Sequence, residues 1–234
     1  MNRHLPHSTI GLLLSGGIDS SILLAHLLES GRTVQPIHIR TGVAWELEEY
    51  TAIHAVLSAL RSPRLLELVS LELPLDDLYA NHWSMTGNGV PGEDSSDEAV
   101  YMPGRNPLLL VKAAVWCQIH GVGELALAPL ASNPFADATD DFFAAFERAF
   151  TLAGNSPLRI VRPLAGMSKR EVMQLRYNFP LEHTFSCIAP RDGLHCGRCN
   201  KCGERKSAFE MAGRADLTQY ADQPRATPHQ RVYL

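Results

Sequence analysis

The chain has 234 residues, 45% of them hydrophobic, a length that favours one domain with room for a small appendage. With 21 Lys+Arg against 25 Asp+Glu the formal net charge is −4, which weighs against a protein that grips nucleic acid mainly by neutralising phosphates. No stretch reaches the roughly 18 to 20 consecutive apolar residues of a membrane helix, and Met1–Ser8 lacks the apolar centre of a secretory signal. A cytoplasmic protein without membrane partners is expected.

The first apolar run, Ile10–Leu14, stops at Ser15-Gly16-Gly17, and Ser20–Leu28 follows with apolar residues at helical spacing. This reads as strand, glycine loop, helix. A second strand at Val34–Ile39 completes a β-α-β unit with a right-handed crossover. Further along, Glu46–Leu60 reads as helix, Leu65–Leu73 as strand, Pro107–His120 as helix, Glu124–Pro129 as strand and Asp140–Leu152 as helix. Alternation of this kind predicts an α/β fold built on a doubly wound parallel sheet. Cys117, flanked by Val115, Trp116 and Ile119, reads as a small core residue.

Thr86–Glu98 is too rich in Gly, Pro and acid for a regular element and is expected to be a mobile loop, either a lid or disordered. From Phe185 to Phe209 the spacing of Cys, Gly and basic residues suits a metal-held knuckle. The tail after Ala212 is polar and is expected to pack loosely. The expected division is therefore an α/β domain over residues 1–182, a knuckle with a closing helix over 183–212, and a polar tail over 213–234.

Three features of Ser15-Gly16-Gly17-Ile18-Asp19-Ser20-Ser21 belong together. Two glycines let the backbone approach a pyrophosphate, the hydroxyls donate to it, and a helix N-terminus offers free N–H groups. The loop is thus an anion cradle, though neither a Walker sequence nor a dinucleotide fingerprint. The plain alternative is a tight turn in which Asp19 caps the helix.

Cys187, Cys196, Cys199 and Cys202 fall within 16 residues, at spacings that read as metal ligation. Four thiolates favour a closed, structural Zn2+ site, with an iron–sulfur cluster as the alternative. His195 adjoins the ligands and could replace one.

Ser-Gly-Gly-x-Asp-Ser after an N-terminal strand resembles the PP-loop of the ATP pyrophosphatases, the adenine nucleotide α-hydrolase-like proteins. The resemblance implies that Ser15, Gly16, Gly17, Asp19, Ser20 and Ser21 surround the phosphates of ATP, with Mg2+ bridging them and Asp19. Phe185-Ser186-Cys187, Cys196-Gly197-x-Cys199-x2-Cys202, Glu204-Arg205 and Ala208-Phe209 together are similar to the zinc knuckle of 7-cyano-7-deazaguanine synthases, enzymes of the queuosine pathway. Pro103-Gly104-Arg105-Asn106 and Pro163-Leu164 with Ser168-Lys169-Arg170-Glu171-Val172 match two further hallmarks.

That family resemblance implies ATP-dependent conversion of 7-carboxy-7-deazaguanine and ammonia to the nitrile through an acyl adenylate, and a homodimer. It assigns Asp19, Arg105 and Lys169 to catalysis. It places Leu14, Ile18, Arg40, Gly42 and Asn106 with the loop at the nucleotide, and Phe135 and Asp137 at the substrate. Bland alternatives are a helix N-terminal box at Arg105, a solvated pair at Lys169 and Arg170, and Asp137 as a helix cap. The family's Gly-Tyr-Pro-Asp-Cys-Arg stretch reads Pro134-Phe135-Ala136-Asp137-Ala138-Thr139, without the Cys and Arg. Two other classes remain open: a ligase joining a deazapurine or other carboxylate to an amine of a small molecule, protein or tRNA, and a non-catalytic nucleotide-binding regulator.

Overall fold

A computed structural model of the chain describes residues 9–154, 157–175 and 179–222. Its strands are β1 (Thr9–Leu13), β2 (Thr33–Arg40), β3 (Val69–Glu72), β4 (Glu124–Ala126) and β5 (Arg159–Val161). All pair in parallel, in the order β3-β2-β1-β4-β5. The helices are α1 (Ile18–Glu29), α2 (Glu46–Ala59), α3 (Asp76–Tyr79), α4 (Trp83–Thr86), α5 (Arg105–Ile119), α6 (Asp140–Ala153), α7 (Lys169–Gln174) and α8 (Asn200–Met211). The strand order reverses between β1 and β4, and a doubly wound sheet opens its ligand crevice at that point.

Apolar residues bury on both faces of the sheet, which is why the strands read as continuous apolar runs. On one face Ile22, Leu23, Ile53, Val172 and Phe209 join Ile10 and Leu12 in one core. On the other, Ile37, Ala113, Cys117, Leu125 and Phe143 form a second. Gly11 is the point of closest approach of α5 to β1: a Cβ there would stand 3.0 Å from Cys117 Sγ. Cys117 is fully buried and its thiol is pushed up to about 12 by burial, as a packing residue should be.

The sheet differs from the sequence expectation at its edges. The ladder of β3 covers only Val69–Glu72, and Leu65 makes one isolated bridge to Val34. Strand β4 stops at Ala126, and β5 was not foreseen because three residues carry too little periodicity to register.

The segment 86–98 also departs from expectation. Its middle is tied down by hydrogen bonds: Glu93 N donates to Arg198 O at 3.0 Å, Asn200 N donates to Pro91 O at 2.9 Å, and Asn200 Nδ2 donates to Ser95 O at 2.9 Å. Backbone hydrogen bonds hold it on the cysteine knuckle. The tail behaves similarly as far as it is described, with Thr218 and Tyr220 buried against α8 and His195. Residues 223–234 lie outside the described residues.

Candidate active site

At the end of β1 the chain turns through Ser15–Gly17 into α1. Ser15 Oγ and Ser20 Oγ stand 3.1 Å apart, Gly17 N donates to Ser15 Oγ at 3.3 Å, and Ser20 Oγ donates to Gly17 O at 3.2 Å. The loop is wound on its own hydroxyls. Gly16 has φ +74°, and a Cβ on it would lie 2.9 Å from the carbonyl oxygen of Glu49, so glycine is required both for the turn and for α2 to sit on it. No side chain caps α1. Its first N–H groups and the positive end of its dipole therefore face the crevice, the arrangement that binds anions.

Asp19 is not a cap. Lys169 Nζ donates to both its carboxylate oxygens, at 2.8 and 2.7 Å, and lies 3.3 Å from Glu204 on α8. Burial depresses the Lys169 ammonium, but attraction to Asp19 and Glu204 outweighs it and the net direction is upward. Lys169 starts α7 directly after a capping box in which Ser168 and Glu171 exchange hydrogen bonds. It is a fixed, partnered cation, and the solvated-pair reading does not hold for it.

These groups border a cavity of about 370 Å³ at the sheet's switch point, with Arg105, Asn106, Trp45 and Glu49 opposite the loop and Lys201, Glu204 and Arg205 from α8 along one side. Arg105 follows Gly104, whose φ of +77° starts α5, and its Nε is buried without a hydrogen-bond partner among the described residues. A buried donor left open in this way calls for a partner beyond the described residues. Burial raises the Glu49 carboxyl to about 7, against the opposing pull of Arg105.

A second space of about 110 Å³ shares Trp45, Arg105, Asn106 and Lys201 with the first. Its walls are aromatic: Trp45 stacks on Trp83 at 5.8 Å, and Tyr101 meets Phe135 at 5.1 Å. Asp137 is buried there and accepts a hydrogen bond from Asn106 Nδ2 at 3.1 Å. It does not cap α6, because Thr139 does so by accepting from Phe142 N.

The structure thus brings Ser15, Gly17, Ile18, Asp19, Ser20, Arg105, Asn106 and Lys169 to one cavity. Leu14, Gly16 and Ser21 stand behind the loop. Leu14 O accepts from His38 Nδ1 at 3.1 Å, and Ser21 Oγ is buried without a partner among the described residues. Arg40 and Gly42, expected at the nucleotide, do not line the cavity. Arg40 is drawn into ion pairs with Glu46 and Glu72 at 3.0 and 2.6 Å, and Gly42 N donates to Glu46 Oε2 at 2.7 Å. The residues that sequence reading left without a role are Glu49, Lys201, Glu204 and Arg205. Nothing in the spacing of Glu46, Glu48 and Glu49 singles out the third; only the seating of α2 on Gly16 does.

The knuckle closes the site from below. The four cysteine sulfurs lie within 4.8 Å of one another, with Cys187 and Cys199 at 3.8 Å and Cys196 and Cys202 at 3.9 Å. A tetrahedral ion with metal–sulfur bonds of about 2.3 Å requires edges of about 3.8 Å. Three backbone N–H groups, of Ala189, Cys196 and Arg198, point at the sulfurs from 3.2 to 3.5 Å, as thiolates would need. His195 replaces none of the four: the cysteines form the cluster among themselves, and its Nε2 accepts from Ser186 N at 3.1 Å. Burial, and then the Arg205 charge, lower its pKa to about 3. The knuckle meets the glycine loop directly: Phe185 N donates to Gly16 O at 2.8 Å. Arg205, almost fully buried, donates to Thr184, Ser186, Leu181 O and Thr218, so α8 is bolted to both knuckle and tail.

Comparison with known proteins agrees with this architecture. A protein of Syntrophobacter fumaroxidans named 7-cyano-7-deazaguanine synthase is 32% identical over 231 residues, covering 89% of this chain and 94% of its own. One of the same name from Solidesulfovibrio magneticus is 30% identical over 238 residues, covering 94% and 98%, and one from Methanothermobacter thermautotrophicus is 27% identical over 228 residues, covering 90% and 98%. The family model described as "Queuosine biosynthesis protein QueC" matches residues 9–213, from β1 through α8. The chain belongs to the QueC family.

Proposed function

We propose that the protein converts 7-carboxy-7-deazaguanine and ammonia to 7-cyano-7-deazaguanine at the expense of ATP. The observation that carries this is the match of 7-cyano-7-deazaguanine synthases over nearly their whole length, joined to a phosphate loop that opens on the cavity. A carboxylate is a poor electrophile because its oxygen leaves badly, and ATP supplies AMP as the leaving group. The chain's part is to bind, neutralise and orient.

In this reading the backbone of Leu14–Ser21 and the N-terminus of α1 hold the polyphosphate. Arg105 and Lys169 balance its charge, and Asp19 with Glu204 offers carboxylate oxygens to Mg2+. The flat bicyclic acid lies between Trp45 and Phe135, with its amine edge at Asp137. Zn2+ on Cys187, Cys196, Cys199 and Cys202 has no open position and acts structurally, holding Phe185 against Gly16.

The loss of Cys and Arg from the Pro134–Thr139 stretch favours one further reading, in which the same activation stops at an amide. Stoichiometry separates the two. Incubation of 7-carboxy-7-deazaguanine with ATP and ammonium is expected to release two pyrophosphates per nitrile; one per amide identifies the second reading, and none with this acid refutes both.

A further inference from the structure

Glu49 is the unassigned acid of the site. Three carboxylates border the main cavity, Asp19, Glu49 and Glu204. Two of them are ion-paired to Lys169. Among the described residues Glu49 takes part in no ion pair with Lys or Arg, although it lies in the same wall as Arg105 and its helix is pressed on the loop through Gly16. The Trp45 side chain hydrogen-bonds to it and steadies its ionised form.

We propose that Glu49 is the general base that takes the proton of the attacking amine, an inference that rests on the adenylation chemistry proposed above. The nitrogen lone pair forms the bond to the activated carboxyl carbon, and the carbon–oxygen bond to AMP breaks with its electrons on the phosphate oxygen. At neutral pH the amine arrives as ammonium, so one proton first passes from its nitrogen to a Glu49 oxygen, which returns it to solvent and leaves the lone pair free, and a second proton leaves the nitrogen for solvent as the amide forms. An acid suited to this task must titrate near the working pH. Several charged groups bear on it. Arg105 on α5 favours its ionised form and Glu46 on its own helix opposes it; Asp19, Lys169, Lys201, Glu204 and Arg205 ring the rest of the cavity. Burial dominates and holds the carboxyl at about 7. Asp137 is an unsuitable substitute because it accepts from Asn106.

The test uses the full chain as Glu49→Gln and Glu49→Asp, with three readouts: exchange of pyrophosphate into ATP with 7-carboxy-7-deazaguanine alone, product with ammonium, and product with hydroxylamine, an amine uncharged at neutral pH. Glu49→Gln is expected to keep exchange within about twofold, to lose ammonium-dependent product roughly 100-fold, and to retain reaction with hydroxylamine. It should also lose the rise of kcat through pH 7, and Glu49→Asp should restore part of it. An unchanged ammonium rate and pH profile in Glu49→Gln overturns the assignment, as does an equal loss of all three readouts, which a purely structural role would give. Wild-type protein that exchanges no pyrophosphate with this acid overturns the activity itself and the Glu49 role with it.

Discussion

Gly16 and Lys169 each serve two elements at once, and their substitutions should therefore cost more than a local contact. Alanine at Gly16 meets a left-handed φ of +74° and a carbonyl oxygen at 2.9 Å, so about 1–2 kcal/mol of backbone strain adds to displacement of α2 from the loop. Gly16→Ala is expected to lose pyrophosphate release while keeping its circular dichroism; wild-type turnover in that variant would contradict the loop assignment. Lys169→Met leaves Asp19 without its cation and Glu204 with Lys201 alone, in a half-buried site. A fall in kcat of roughly 10²- to 10³-fold is expected, the scale of removing one preorganised charge from a reaction centre, and steady-state kinetics would show it.

Glu49 also makes a prediction about stability. Loss of solvent holds its carboxyl at about 7 in the folded chain, above the ordinary 4.5, so between those pH values the folded state keeps a proton that the unfolded chain has released. Stability then falls as pH rises through this window, by on the order of 1–3 kcal/mol. Glu49→Gln should be more stable than wild type at pH 8 and equal to it near pH 4. Denaturant titration at the two pH values checks the sign.

At the scale of elements, the knuckle supports the glycine loop after β1. Phe185 donates to Gly16, and α8, which begins among the cysteines, carries Glu204 to Lys169 and Arg205 to the segment before Cys187. Loss of the metal should therefore reach the loop. Cys199→Ser is expected to lower zinc content, to lower Tm by roughly 10 °C or more, and to reduce activity as a consequence. Metal analysis of the wild type decides the ion: iron, or none in well-folded protein, would end the zinc assignment.

Across the whole molecule, stability is divided between the sheet and the knuckle. Segment 91–95 and the start of α8 are tied by backbone bonds to each other, whereas β1, β2 and β4 are sealed between two apolar layers. Chelation of the metal is expected to speed amide exchange at Glu93, Asn200 and Phe185 together, while Leu12 and Ile37 stay protected. Uniform exchange throughout the chain would show that sheet and knuckle unfold as one.

Local chemistry made part of this legible from the residues alone. Apolar runs at Ile10 and Val34 predict central parallel strands, since both faces of such a strand are buried; in β2 Gln35 and His38 are buried polar exceptions, each hydrogen-bonded to a backbone carbonyl. Ser-Gly-Gly-x-Asp-Ser predicts the tight turn from strand into helix, and the four clustered cysteines do converge, their sulfurs within 4.8 Å of one another. What the sequence could not rank were side chains whose meaning depends on a partner far along the chain. A helix cap stays open as the alternative for Asp19 until Lys169, 150 residues later, claims its carboxylate. Arg40 reads as a nucleotide ligand until Glu46 and Glu72 take it, and Thr86–Glu98 reads as mobile until Arg198 and Asn200 supply its hydrogen bonds. Glu49 shares its residue type and helix with Glu46 and Glu48, and only the packing of α2 against Gly16 sets it at the cavity. Desolvation and long-range pairing are properties of the packed chain, and they, rather than residue type or spacing, decided which charged groups face the cavity.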